Sequence, residues 1–303
     1  MKIIFLGTSA AIPTATRGLA STAIYRDGEL LLFDVGEGTQ KNFMLARLGI
    51  NHKMKVFITH MHADHCIGIL GLLQTMTLLG RRKKLDIYGE PKIEEFINQN
   101  IRIIRFGLSF ELDIHTIRDE GVIVKEFDHQ ISCCRSTHSV LSYSFLIEEF
   151  DRPGKFNVNK AIQLGIPKGK LFKKLQNGED IILNGSLIKS NDIIGPKRKG
   201  RKIGISGDTR PSFELEKFFA NSDILIFEAT YTQDKYLNAV KTFHSTATEA
   251  ARLAKASKSN RLFLTHFSSR YKDPLIMLNE ARSIYENVEL AEDLKTVNVP
   301  YPE

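Results

Sequence analysis

The apolar residues of this chain fall into short runs whose period changes along its length. Residues 3–6 form a brief strand-like run. Residues 22–26 and 29–33 flank Asp27-Gly28, and that dipeptide between apolar runs predicts a hairpin. Residues 40–48 have helical spacing. The run 56–59 (Val-Phe-Ile-Thr) predicts a buried strand, and the apolar stretch 67–79, with two glycines, predicts a helix. A basic tip follows at Arg81, Arg82, Lys83 and Lys84, then a strand over 85–88 and a helix near 91–104. Residues 122–127 and 142–148 alternate like strands and bracket His138.

Between residues 151 and 202 strong periodicity fades, and Gly, Pro, Lys and Asn become frequent. Ordinary connections are far shorter. The stretch is therefore expected to be an inserted, partly structured arm dividing a core of residues 1–150 and 203–303. The core pattern resumes with strand-like runs at 203–207, 223–227 and 261–265. Thr246-Ala247-Thr248-Glu249 is a capping-box pattern that opens a helix through about Ser257.

Composition narrows the class. A chain of 303 residues with 42% hydrophobic content can bury a sizeable core. It has no run of about 18 apolar residues, so no membrane span is expected. Three cysteines, Cys66, Cys133 and Cys134, are too few for a disulfide framework, which suggests a cytoplasmic protein. The net charge of +7 is unevenly placed. Residues 151–202 hold 13 Lys or Arg against 4 Asp or Glu, a net of +9, and the remaining 29 against 31 leave −2. Such a stripe suits a polyanion, and equally a solvated loop.

The densest chemistry is His60-Met61-His62-Ala63-Asp64-His65. It lies between a predicted strand and a predicted helix. Extended backbone points alternate residues the same way, so His60 and His62 can share one ion, while Asp64 and His65 can hold a second as the chain turns. Imidazole with carboxylate suits zinc, or manganese or iron. Cys66, beside His65, is a further candidate ligand. Asp34, His60, Asp208, Glu228 and His266 each follow an apolar strand-like run. Ligands gather at the carboxyl ends of strands in helix-covered sheets, so five such side chains point to one metal site.

This pattern resembles the metallo-β-lactamase fold superfamily, whose signature H-x-H-x-D-H precedes a distal His, an Asp and a final His. The resemblance implies an α/β fold, an αββα sandwich, here with an inserted arm. It implies that His60, His62 and His138 hold one zinc, that Asp64, His65 and His266 hold the other, and that Asp208 bridges them. Asp34 matches the Asp that precedes the signature. By residue pattern alone His129 competes with His138.

Five further stretches narrow the family: Gly7-Thr8-Ser9-Ala10 with Pro13, Thr14 and Arg17; residues 33–40; residues 68–73; Phe227-Glu228-Ala229-Thr230-Tyr231; and His244-Ser245-Thr246-Ala247. With these the chain is similar nearly end to end to the short form of RNase Z, the endonuclease that removes 3′ trailers from precursor tRNA. Residues 164–175 and 195–202 look like that family's tRNA-gripping exosite. Lys168, Gly169, Lys170, Lys173 and Lys174 are the arm residues expected to meet RNA. Where the family often carries P-x-K-x-R-N, residues 13–18 read Pro-Thr-Ala-Thr-Arg-Gly.

The resemblance implies two Zn²⁺ per subunit, a precursor tRNA substrate and a homodimer. Asp64 is expected to accept a proton from the attacking water or orient it. His244, oriented by Glu228, is expected to protonate the leaving 3′ oxygen. Two alternatives remain at this point: another hydrolase of the fold, such as a small-molecule phosphodiesterase or lactonase, and a non-catalytic RNA-binding module.

Overall fold

A computed structural model describes residues 1–302. The predicted hairpin forms. Ser21–Arg26 and Glu29–Phe33 pair antiparallel with Arg26 opposite Glu29. Asp27 and Gly28 take positive φ, 43° and 85°, as a two-residue turn matching the strand twist requires. The hairpin sits mid-sheet in the order Thr296–Asn298, Lys2–Gly7, Ser21–Arg26, Glu29–Phe33, Lys53–Phe57, Leu85–Gly89, Leu112–Thr116. The last four of these strands run parallel. The second sheet has the order Val288–Leu290, Leu262–Thr265, Ile224–Glu228, Lys202–Ile205, Tyr143–Glu149, His129–Arg135, Gly121–Lys125. Its first four strands are also parallel.

The alternation of side chains along each strand builds three apolar layers. Ile3, Phe5, Leu31, Phe33 and Phe57 of the first sheet face Phe145, Ile147, Ile224, Ile226 and Phe263 of the second. The neighbours Ile4, Leu6, Leu30, Leu32 and Val56 point outward, against the helices Ile69–Leu78 and Lys92–Ile104. On the far side Leu225, Phe227, Leu262 and Leu264 pack beneath the helices Ala247–Ala256 and Leu275–Arg282. The result is the αββα sandwich. Each fully buried Phe or Leu contributes about 1.5–3 kcal/mol, so register is strongly fixed: a one-residue slip would expose a whole row.

The chain divides into two compact units. One comprises Met1–Ile147 and Lys202–Pro300; the other comprises Glu148–Arg201 with residues 301 and 302. The smaller unit has its own core of Ala161, Ile166, Leu175, Ile181 and Ile193. Helices Val158–Gln163 and Lys170–Gln176 and a hairpin of Ile181–Leu183 with Ser186–Ile188 surround it. At its root Arg201 grips Glu149 through two 2.7 Å bonds.

Three features differ from or add to the expected pattern. The helix predicted over 67–79 forms as Ile69–Leu78, and a separate short helix, Ala63–Cys66, precedes it. The break falls at Gly68, whose amide donates to the Val35 carbonyl at 2.9 Å. The basic tip is only partly a tip: Arg81 is fully buried, its guanidinium donating to the carbonyls of Ile50, His52 and Lys84. Two strands, Leu112–Thr116 and His129–Arg135, carry too many polar residues to stand out as apolar runs.

His129 is polar yet buried because it belongs to an ion cluster at the amino ends of the first sheet's parallel strands. Arg26, Glu29, Lys55 and His129 are all buried there. Arg26 meets Asp128 at 2.7 Å, and Lys53 and Lys55 both meet Glu126 at 2.8 Å. The bonds from Lys53 and Lys55 pull the Glu126 carboxyl down to about 2, and Arg26 does the same to Asp128. In an unfolded chain these groups titrate near about 4.3 and 3.9. Their stabilisation is therefore present above those values and lost as pH falls toward about 2. Both carboxylates are partly exposed, so screening holds the effect to about 1 kcal/mol. A Glu126→Gln/Asp128→Asn variant should be less stable than wild type at neutral pH by that amount. In denaturant titrations the gap should close as pH falls from about 4 to about 2.

Candidate active site

The carboxyl ends of the parallel strands in both sheets converge on one edge, and the candidate side chains follow them. Asp34 follows Glu29–Phe33, and His60 and His62 follow Lys53–Phe57. Asp64 and His65 lie on Ala63–Cys66. Asp208 follows Lys202–Ile205, Glu228 ends Ile224–Glu228 and His266 follows Leu262–Thr265. His138 comes from the loop between His129–Arg135 and Tyr143–Glu149.

Two groups of side chains form. In the first, His62 Nδ1 lies 3.0 Å from His60 Nε2 and 3.1 Å from His138 Nε2. In the second, His65 Nε2 and His266 Nε2 are 3.2 Å apart, and Asp64 Oδ2 is 3.6 Å and 3.5 Å from them. Asp208 touches both groups: Oδ2 lies 3.7 Å from His60 and 3.3 Å from His65, and Oδ1 is 3.3 Å from His266. Ligand nitrogens about 2.0–2.1 Å from a tetrahedral zinc sit about 3.3 Å apart. The observed spacing thus fits a cation between them, and these groups can hold metal ions. His129 stays with Arg26 and Glu29 in the distant ion cluster, so His138 is the distal histidine of the site. Cys66 turns into the apolar core instead, where burial pushes its thiol up to about 12.

The electrostatics match that use. Burial holds His60 well below the usual imidazole range, and it also lowers His62 and His138. Neutral rings keep lone pairs for metal. Burial would raise Asp208 and Asp64, but the neighbouring histidines hold both far below the ordinary carboxyl range. Burial disfavours a charge on His65, yet Asp208 and Asp34 override it and raise its pKa well above normal. The pull that attracts a proton there attracts a metal cation equally.

Ring orientations are fixed from behind. Asp34 Oδ2 accepts from His65 Nδ1 at 2.7 Å. Thr59 Oγ1 lies 2.9 Å from both Asp34 Oδ2 and His60 Nδ1. The Phe243 carbonyl accepts from His138 Nδ1 at 3.1 Å. Asp34, Phe243 and His266 all have φ near +58°, a left-handed conformation that costs non-glycine residues energy and clusters at functional sites. Thr59 and Phe243 escaped the sequence reading. The only signal for Thr59 was its place directly before His60.

His244 lies beside the two groups, 3.8 Å from Asp208. It lies just before the helix Ala247–Ala256, whose capping box between Thr246 and Glu249 is fully formed. Its Nδ1 donates to Glu228 Oε1 at 3.0 Å. Burial opposes charge on this ring, but Glu228 raises its pKa to about 9. An open cleft of about 390 Å³ meets His62, Asp64, Asp208, His244 and His266.

A sandwich of this architecture with histidines and carboxylates at its strand ends defines a metallo-β-lactamase-fold hydrolase. The metallo-β-lactamase fold protein YhfI from Bacillus subtilis shares the fold, with a TM-score of 0.67 at 18% identity over 98% of each chain. The family model for anti-Pycsar protein Apyc1 matches residues 1–153. Ribonuclease Z from Nitrosopumilus maritimus strain SCM1 is 50% identical over 299 residues, covering 99% of this chain and all of that protein. The crystal structure of human tRNase Z, short form, superposes with a TM-score of 0.73 at 27% identity, covering 99% of this chain and all of that one. The chain belongs to the ribonuclease Z family.

Two glycines seat the cluster. A Cβ on Gly68 would lie 2.1 Å from the Gly36 carbonyl oxygen, and one on Gly36 would lie 2.3 Å from the Asp64 carbonyl oxygen. The backbones carrying Asp34 and Asp64–His65 are thus in direct contact. Gly68→Ala must push them apart, and overpacking of this kind costs about 1–3 kcal/mol. Thermal or denaturant unfolding of that variant should show a loss in that range, together with weaker metal binding.

Proposed function

We propose that this chain is a zinc-dependent endoribonuclease that removes the 3′ trailer from precursor tRNA, with Asp64, His244 and Glu228 in the chemistry. The observation that carries the reading is Asp208 touching both histidine groups, with His244 held by Glu228 beside them. Of the first group, His60, His62 and His138 would hold one zinc. Asp64, His65 and His266 would hold the second, and Asp208 would bridge. Bound there, two ions supply Lewis acidity toward phosphoryl oxygens and activate water at neutral pH.

The chain's own residues divide the remaining work. Asp64 accepts the Ala11 amide at 2.8 Å through Oδ2, which fixes the carboxylate against the first strand loop. In this reading it would hold the attacking water or take its proton. Water attacks phosphorus and the P–O3′ bond breaks. His244, protonated at neutral pH and fixed at Nδ1 by Glu228, keeps Nε2 to protonate the departing 3′ oxygen. The products are tRNA with a 3′ hydroxyl and a trailer with a 5′ phosphate.

The exposed Lys168, Lys170, Lys173 and Lys174, with Gly169 opening their helix, suit phosphate contacts of the kind that weaken with salt. We read residues 151–202 as an RNA-gripping arm that serves the partner subunit of a homodimer. Exposed Met44, Leu45, Leu78, Leu79, Ile103 and Ile104 on adjacent helices of the first sheet support a subunit interface. Free cysteine thiols accord with a cytoplasmic enzyme. Among the described residues no helix is long and apolar enough to cross a membrane.

Incubating the zinc-loaded protein with trailer-bearing precursor tRNA and mapping the new 3′ end should give a cut after the discriminator nucleotide. His244→Ala should slow single-turnover cleavage by about 10²–10⁴-fold while zinc content is kept. A wild-type rate in that variant would remove His244 from the mechanism. A protein with Lys168, Lys170, Lys173 and Lys174 all changed to Ala should bind precursor tRNA weakly but hydrolyse a small phosphodiester normally. Mixed and allowed to exchange with His244→Ala, it should regain precursor cleavage if the arm acts across subunits; no recovery would place the arm on its own active site.

A further inference from the structure

We infer that Thr230 is a positioning residue whose single hydroxyl ties the metal-facing His266 to the carboxylate that orients His244. The inference rests on the ligand set proposed above. Glu228 is fully buried, and each of its oxygens has two donors. Oε1 accepts the Thr209 amide at 2.8 Å and His244 Nδ1 at 3.0 Å. Oε2 accepts the Ser245 amide at 3.0 Å and the Thr230 hydroxyl at 2.6 Å. Two of these four donors are backbone amides, which can only donate, and the four together fill the acceptor positions of the carboxylate, so the Thr230 hydroxyl turns its hydrogen to Oε2.

That assignment settles the proton on Thr230. A hydroxyl has one hydrogen, and it is given to Glu228. Two contacts remain. His244 Nδ1 lies 3.4 Å from the hydroxyl but already donates to Glu228 Oε1 at 3.0 Å, while the 2.9 Å contact to His266 Nδ1 requires that ring to donate and Thr230 to accept. With its proton on Nδ1, His266 presents a bare Nε2 to His65, Asp64 and Asp208. The hydroxyl thus selects the ring tautomer that can bind a cation. One carboxylate therefore orders both the proton-donating histidine, directly, and one metal-facing histidine, through Thr230. Partners behind a metal-bound histidine typically affect metal affinity by about 10–100-fold.

Wild type, Thr230→Val and Thr230→Ser should be stripped of metal and titrated with zinc against a competing chromophoric chelator. Valine keeps the shape and loses the hydroxyl; serine keeps the hydroxyl. The expected result is two zinc sites in wild type, one of them weakened about 10–100-fold in Thr230→Val and restored to within about threefold in Thr230→Ser. Excess zinc should recover precursor cleavage in Thr230→Val but not in His244→Ala. Unchanged zinc affinity in Thr230→Val, with the metal-free proteins melting alike, would overturn the role. Equal loss in the valine and serine variants would overturn it too, because a side chain that keeps the hydroxyl would then restore nothing. A wild-type protein that bound no zinc would instead overturn the ligand set, and this inference with it.

Discussion

A carboxylate held away from water controls the architecture of the catalytic edge. Asp208 is buried and lies 3.3 Å from ring nitrogens of both His65 and His266. Burying an ion costs several kcal/mol unless its partners are well placed. Here the partners come from both sheets, so the charge is tolerated only when the two sheets are stacked in register. The stacked core of Phe33, Phe57, Phe145 and Phe263 provides that register. Core packing and site geometry are therefore one constraint, and left-handed Asp34 and His266 are the local cost that the packed edge absorbs.

The same edge explains why so many polar side chains are buried without harm. Asp34, Thr59, Thr230 and Glu228 each bond to a ring or to a backbone amide. A site whose rings are fixed from behind pays little ordering cost when a cation or substrate arrives. The opposite edge uses buried charge differently. There Glu29, Glu126 and Asp128 offset Arg26, Lys53 and Lys55 and hold strand ends.

Much of this was legible in the sequence because period carries layer. The alternation Ile3-Ile4-Phe5-Leu6 reports two faces of one strand, and both faces are buried. Asp27-Gly28 reports the hairpin, and Thr246 with Glu249 reports the cap. The histidine run was legible because its spacing has no structural use other than a site. What escaped depends on contacts far along the chain. Whether His129 or His138 enters the site is decided by a loop position, and His129 looks like a ligand until Arg26 and Glu29 are placed beside it. Arg81 reads as surface charge until the carbonyls that accept its guanidinium are known. Gly68 breaks a helix only because Val35 and Gly36 approach it.

Charge links the site to its substrate. Asp34, Asp64, Asp208 and Glu228 put four carboxylates at one edge, and outside residues 151–202 the chain is net −2. Alone, that edge would repel a phosphodiester. Two divalent cations would offset the four carboxylates, and a protonated His244 would then tip the balance positive. Cation binding there would therefore do more than activate water: it would change the sign of the field that a phosphodiester meets in the cleft. Long-range attraction has to come from elsewhere, and the +9 concentrated in residues 151–202 can supply it. A polyanion would be captured by one part of the chain and cut by another whose field is favourable only when its metals are bound.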